Sequence, residues 1–140
     1  MKQKNKQIGS SPSGYYYYAA GATTAIAGIL HLILFSNGVG RGISDIGIFF
    51  LISGLIQLFW AAPMVKRWGR TWYYIGIAGT IILIILWGVT REPNAITHGR
   101  ALPVNSMSIV TELFQFAFIV LSAIIIWKER TSRLPEIKHN

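Results

Sequence analysis

The chain has no cysteine, and that excludes disulfide scaffolds, Cys-zinc sites, iron–sulfur clusters and thiol chemistry. Charge is also scarce. Only 13% of the 140 residues are Asp, Glu, Lys or Arg, about half the share of a soluble domain. Five of these are acidic and thirteen basic, for a net charge of +8. No Gly-rich phosphate loop, Ser-His-Asp set or Asp-rich metal motif is present. Two membrane-depth histidines are needed for bis-His haem, and the chain offers one, His31. What the chain has in quantity is apolar surface: 52% hydrophobic residues and a mean hydropathy of +0.45. Disorder requires low hydrophobicity and high charge, so it is excluded too.

Four long apolar runs carry this surface: 15–35, 45–65, 71–89 and 106–127. A helix needs about 20 apolar residues to cross roughly 30 Å of hydrocarbon. The third run holds nine Ile, Leu or Val residues and no charge; they favour insertion by roughly 3–5 kcal/mol before polar residues are counted. The fourth carries one charge, Glu112, against twelve Ile, Leu, Val and Phe. A soluble bundle would need polar faces that these runs lack. The reading is therefore an all-α, integral membrane, up-down-up-down four-helix bundle over 15–127, with basic tails at 1–14 and 128–140. The basic start and apolar first run resemble a signal peptide, but the run is too long and no Ala-x-Ala site follows, so an uncleaved helix is expected.

Short connections make neighbouring helices antiparallel. Ser36 to Ser44 reads as a turn, Lys66 to Arg70 as a tight basic turn, and Thr90 to Asn105 as a longer loop able to dock a partner or cover the interior. Ser44 or Asp45, Thr71, and Asn105 or Ser106 are the expected helix caps. Lys2, Lys4, Lys6, Lys66, Arg67, Arg70, Lys128, Arg130, Arg133 and Lys138 gather on one side, against Arg41, Arg91 and Arg100 on the other. The positive-inside rule then places both termini in the cytoplasm and the protein in the cell membrane. Tyr15 to Tyr18, Trp60, Trp68, Trp72, Tyr73, Tyr74 and Trp127 mark the inner interface and Trp87 the outer. The basic pI is thus accounted for by topology and contact with anionic lipid, and nucleic acid is not an expected partner.

At about 100° per residue, each helix has one small or polar stripe. On the first it is Ala20, Gly21, Thr24, Ala27, Gly28 and His31. On the second it is Ser53, Gly54 and Gln57; on the third Trp72, Gly76, Gly79 and Thr80; on the fourth Ser108, Glu112, Gln115, Ile119 and Ser122. Small residues in such stripes let helices approach closely. His31 and Glu112 both fall roughly 8–9 Å to the outer side of the midplane. Ionisable residues at such depth pair and are functional candidates. The expected site is therefore a His31–Glu112 pair with Gln115 nearby, and Gln57, Asp45 and His98 are secondary candidates. Imidazole plus carboxylate also suits zinc, iron or copper(II), although no ligand spacing is recognisable. Asp45 reads more simply as a cap and His98 as a solvated loop residue. No cofactor is assigned.

The segments "GILHL" (28–32), "IFFLISGLIQLFWA" (48–61), "LWGVTR" (86–91), "ALPVN" (101–105) and "TELFQ" (111–115) together resemble a broad group of small four-helix membrane proteins of bacteria and archaea. The resemblance implies the fold but no catalytic residue. The Ile-rich character is similar to proteins of ammonia-oxidising archaea, which implies an accessory subunit of their copper-dependent monooxygenase as one metal- or redox-active alternative. The leading expectation is a non-enzymatic subunit or assembly partner of a larger membrane complex, with protein partners or copies of itself in the bilayer. A small transporter or proton-linked carrier using His31 and Glu112 is the alternative.

Overall fold

The computed structural model describes residues 12–39 and 45–132. Those residues form four helices and no strand: α1 (Gly14–Val39), α2 (Asp45–Val65), α3 (Arg70–Val89) and α4 (Ser106–Thr131). All four are long and apolar enough to cross a membrane. The basic tail residues Lys2, Lys4, Lys6, Arg133 and Lys138, and Arg41 and Ser44 of the first connection, lie outside the described residues.

Element ends depart from the sequence reading in ways the local chemistry explains. Helix α1 continues through Ser36 and Asn37, which read as a turn. The Ser36 hydroxyl donates to the Ile33 carbonyl at 2.9 Å, so this weak helix former satisfies itself within the helix. Thr71 does not cap α3. That place belongs to Gly69, with φ of 110° and no side-chain cap bond. The tight turn takes Arg67 and Gly69 to positive φ, and at Gly69 only glycine does so without strain. Asn105 caps α4 as expected. Its side chain accepts from the Ser108 amide, and Ser108 returns the bond to the Asn105 amide, closing a capping box.

The helices form a ring: α1 beside α2, α2 beside α3, α3 beside α4, α4 beside α1, with α1 packed most closely on α2. Glycine sets that last approach. A Cβ on Gly28 would sit 2.8 Å from the Gly54 carbonyl oxygen, and one on Gly54 would sit 2.9 Å from that of Gly28. Gly21 meets Val65 and Ala61 in the same way, so numbering rises along α1 as it falls along α2. The Thr24 hydroxyl donates to the Gln57 carbonyl at 3.1 Å between them.

The small and polar stripes point inward on α1, α2 and α4. All six residues of the α1 stripe are buried, as are Ser53, Gly54 and Gln57, and Ser108, Glu112, Gln115 and Ser122. On α3 the inward residues are Tyr73, Gly76 and Thr80, whereas Gly79 faces out with nothing near a would-be Cβ. The outer surface carries Ile, Leu, Val and Phe, for example Leu55, Ile82, Leu113 and Phe116.

A hollow between His31 and Glu112

Two adjoining cavities, of about 190 and 300 Å³, open the bundle near the C-terminal half of α1. Both are lined by His31 of α1, Phe50 of α2, Trp87 of α3, Arg91 just beyond it, and Glu112 of α4. The first is mostly apolar, walled by Phe49, Leu83, Leu86 and Ile96, with Asp45 at its rim. The second is bordered by Asn37, Asn105 and Ser108.

His31 is buried, and its Nδ1 lies 3.0 Å from the Ala27 carbonyl oxygen one turn earlier. A carbonyl only accepts, so Nδ1 carries the proton, and Nε2 of the neutral ring is left as an acceptor. The ring packs 5.8 Å from that of Phe50. Glu112 is 7% exposed, and its Oε2 has no hydrogen-bond partner. Gln115, one turn deeper, is 1% exposed with both amide atoms unpartnered. Gln57 is buried, and its side chain faces the His31 ring within hydrogen-bonding reach. The structure therefore brings His31 and Glu112 to one cavity. Among the described residues the ion pair is elsewhere, Arg70–Glu129 at 3.4 Å, and His98 meets Asp45 at 3.3 Å.

Asp45 and His98 thus meet each other, on the surface, where such a pair contributes little. Among the described residues no group of three or more His, Asp or Glu is arranged to hold a metal ion, and the donor set gives the copper reading no support.

Arg91 was legible only as an outer charge. In the fold its Nε donates to the Trp87 carbonyl at 3.0 Å, and Nη1 donates to the carbonyls of Leu102 at 3.0 Å and Pro103 at 2.6 Å. The guanidinium also stacks over the Trp87 ring, 4.8 Å from its centroid. Burial pushes Arg91 below the usual guanidinium pKa, and the neighbouring Glu112 opposes that shift. The 90–105 loop is folded as a clasp around Asn94. That side chain accepts from the amides of Ile96 and Thr97 and donates to the carbonyls of Val89 and Glu92. The clasp brings Ile96 and Leu102 over the cavity. Trp87, read from sequence as an interface marker, turns its Nε1 inward, buried and unpartnered.

No family model, no curated protein and no solved structure matches this chain.

Proposed function

We propose that this chain is an integral up-down-up-down bundle of the cell membrane, with both termini cytoplasmic, acting as a small carrier that takes a hydrogen-bond-donating molecule with an apolar body. One observation carries the reading: Glu112, a buried carboxyl group with an unpartnered oxygen, shares an aromatic-walled cavity with His31. A buried polar group left unmade costs about 1–3 kcal/mol, more when charged, so retaining one asks for a partner from outside the chain. Both His31 Nε2 and the Glu112 carboxylate accept hydrogen bonds. A ligand that donates to them, with its apolar body against Phe50, complements the site. The opposed numbering of facing helices and the Lys/Arg asymmetry support the topology.

Thermal shifts of the purified protein with 4-ethylphenol and with its methyl ether test the site, because the two probes share a shape and differ in the donor. Wild type is expected to be stabilised by the phenol and not by the ether, and Glu112→Gln to lose most of that difference. Equal response to both probes would remove the reading. The absence of cysteine makes the topology directly testable with single cysteines at Ser132 and Ala101. A membrane-impermeant maleimide on intact cells is expected to label only Ala101→Cys.

A second reading, a subunit of a larger membrane complex, rests on α3. Ile75, Gly79 and Ile82 share an outward face, and the glycine leaves room for another helix. Gly79→Leu is expected to release stoichiometric partners from mild-detergent extracts; recovery of the wild type as a free monomer would count against it.

A further inference from the structure

The buried polar residues repeat every seven positions on three helices. On α1 they are Tyr17, Thr24 and His31, all buried. On α3 they are Tyr73 and Thr80, both buried, and Trp87 with its buried Nε1. On α4 they are Ser108, Gln115 and Ser122, buried, and then Glu129. A strict seven-residue repeat stays on the inner seam of a left-handed bundle. Each step of seven is about 10 Å along the axis. The seam therefore stacks in layers. At one end, Tyr17 and Tyr73 pack with ring centroids 6.1 Å apart, and Tyr17 donates to Glu129 at 2.6 Å. In the middle lie Thr24, Thr80 and Ser122. At the other end lie His31, Trp87, Gln115 and, one turn further along α4, Glu112.

Packing alone does not account for this seam. Hydroxyls kept only for packing satisfy themselves, as Thr80 does on the Gly76 carbonyl at 2.8 Å. Gln115 does not, and neither do Ser122 or Glu112 Oε2; all are buried atoms without a partner. They lie in the cavity layer and in the middle layer beneath it. Water hydrogen-bonded to such atoms satisfies them, and a buried water typically makes about three bonds. Water in a chain of hydrogen bonds also passes protons.

We propose that the seam is a proton path joining Glu112 to Glu129 across the bundle. The Glu112 carboxyl group gives its proton to water held by Gln115. The proton passes along water held by Ser122, and the Glu129 carboxylate accepts it beside Tyr17 and Arg70 and then releases it to the water on its own side. Glu112 takes up the next proton from the cavity side, so charge and atoms balance with no other reactant. The groups facing Glu112 there are His31 from α1, Asp45 from α2 and Arg91 from the clasp. This path rests on the membrane topology proposed above and gives the carrier its coupling ion.

Full-length protein in phospholipid vesicles with trapped pyranine, under a potassium–valinomycin potential, reads the path directly. Wild type is expected to move protons faster than protein-free vesicles. Glu112→Gln, Gln115→Leu and Ser122→Val are each expected to fall to the protein-free rate, and lipid-facing Leu113→Ala to keep the wild-type rate. Circular dichroism and gel filtration identify variants that fold, and only those are compared. A wild-type rate equal to that of empty vesicles overturns the path, as does a folded Gln115→Leu or Ser122→Val that conducts like wild type. Phenol binding without proton flux sinks the path and keeps the cavity reading; flux without phenol binding does the reverse.

Discussion

Glu129 and Glu112 stand on the same helix about 25 Å apart, and the two ends of the bundle treat them oppositely. Glu129 accepts from Tyr17 at 2.6 Å and pairs with Arg70 at 3.4 Å. At the same end Arg67 covers the Tyr17 ring, Lys128 covers Tyr16, and Trp72 packs tilted against Trp60 and edge-on to Trp68. Phe118, Ile125, Met64 and Tyr73 fill the space behind them. At the other end the acid keeps an unpartnered oxygen and faces a cavity. The lesson is a division of labour. Packing concentrates at the filled end, and the hollow end keeps polar groups unpartnered.

The largest test of this contrast compares equal truncations. Phe118 is 1% exposed in the filled core, so Phe118→Ala is expected to cost about 3–5 kcal/mol. Phe50 borders the cavity, so Phe50→Ala is expected to cost less than half as much. Unfolding midpoints in a detergent–SDS titration check the pair, and similar losses would dissolve the distinction. Next comes the close α1–α2 contact between the ends. Gly28→Ala forces a methyl group to 2.8 Å from the Gly54 carbonyl, a backbone atom with nowhere to go. About 1–3 kcal/mol of overpacking is expected in the same titration. The acids themselves follow. Glu129→Gln breaks the ion pair and is expected to cost about 1.5 kcal/mol, near the low end for a charged hydrogen bond because Arg70 is partly exposed. Glu112→Gln removes no bond or ion pair to Oε2 and is expected to leave the midpoint unchanged or raise it, even as it removes ligand response.

Much of this was legible because a polar residue in a long apolar run has few places to go. A threonine, histidine or glutamine in an apolar run faces protein, so the 100° rule alone placed Ala20 through His31 and Ser108 through Ser122 inward. Gly79 escaped the rule because glycine has no side chain to bury and is tolerated on either face. Thr71 looked like a cap, but the positive φ at Gly69 moved the helix start upstream of it. The role of Arg91 was invisible for a different reason. Its three carbonyl acceptors are one turn back and eleven and twelve residues ahead, and the path that brings the last two close is set by the Asn94 turn. Trp87 read as an interface marker, but the seven-residue repeat of Tyr73, Thr80 and Trp87, a signal for an inward place, stands in the sequence.

The smallest expected effect lies above the hollow end, at His98–Asp45. The two side chains approach to 3.3 Å, yet they are 70% and 82% exposed. Water competes for both, salt screens them, and His98 holds a positive φ of 51° that costs something of its own. His98→Ala is therefore expected to shift the midpoint by less than about 0.5 kcal/mol. His98→Gly is expected to match it or gain slightly, since glycine takes that φ without strain. A loss well above this would mean that the pair pins the clasp over the cavity. The hollow end would then have a structural lock of its own, and the division between a filled end that stabilises and a hollow end that does not would have to be redrawn around it.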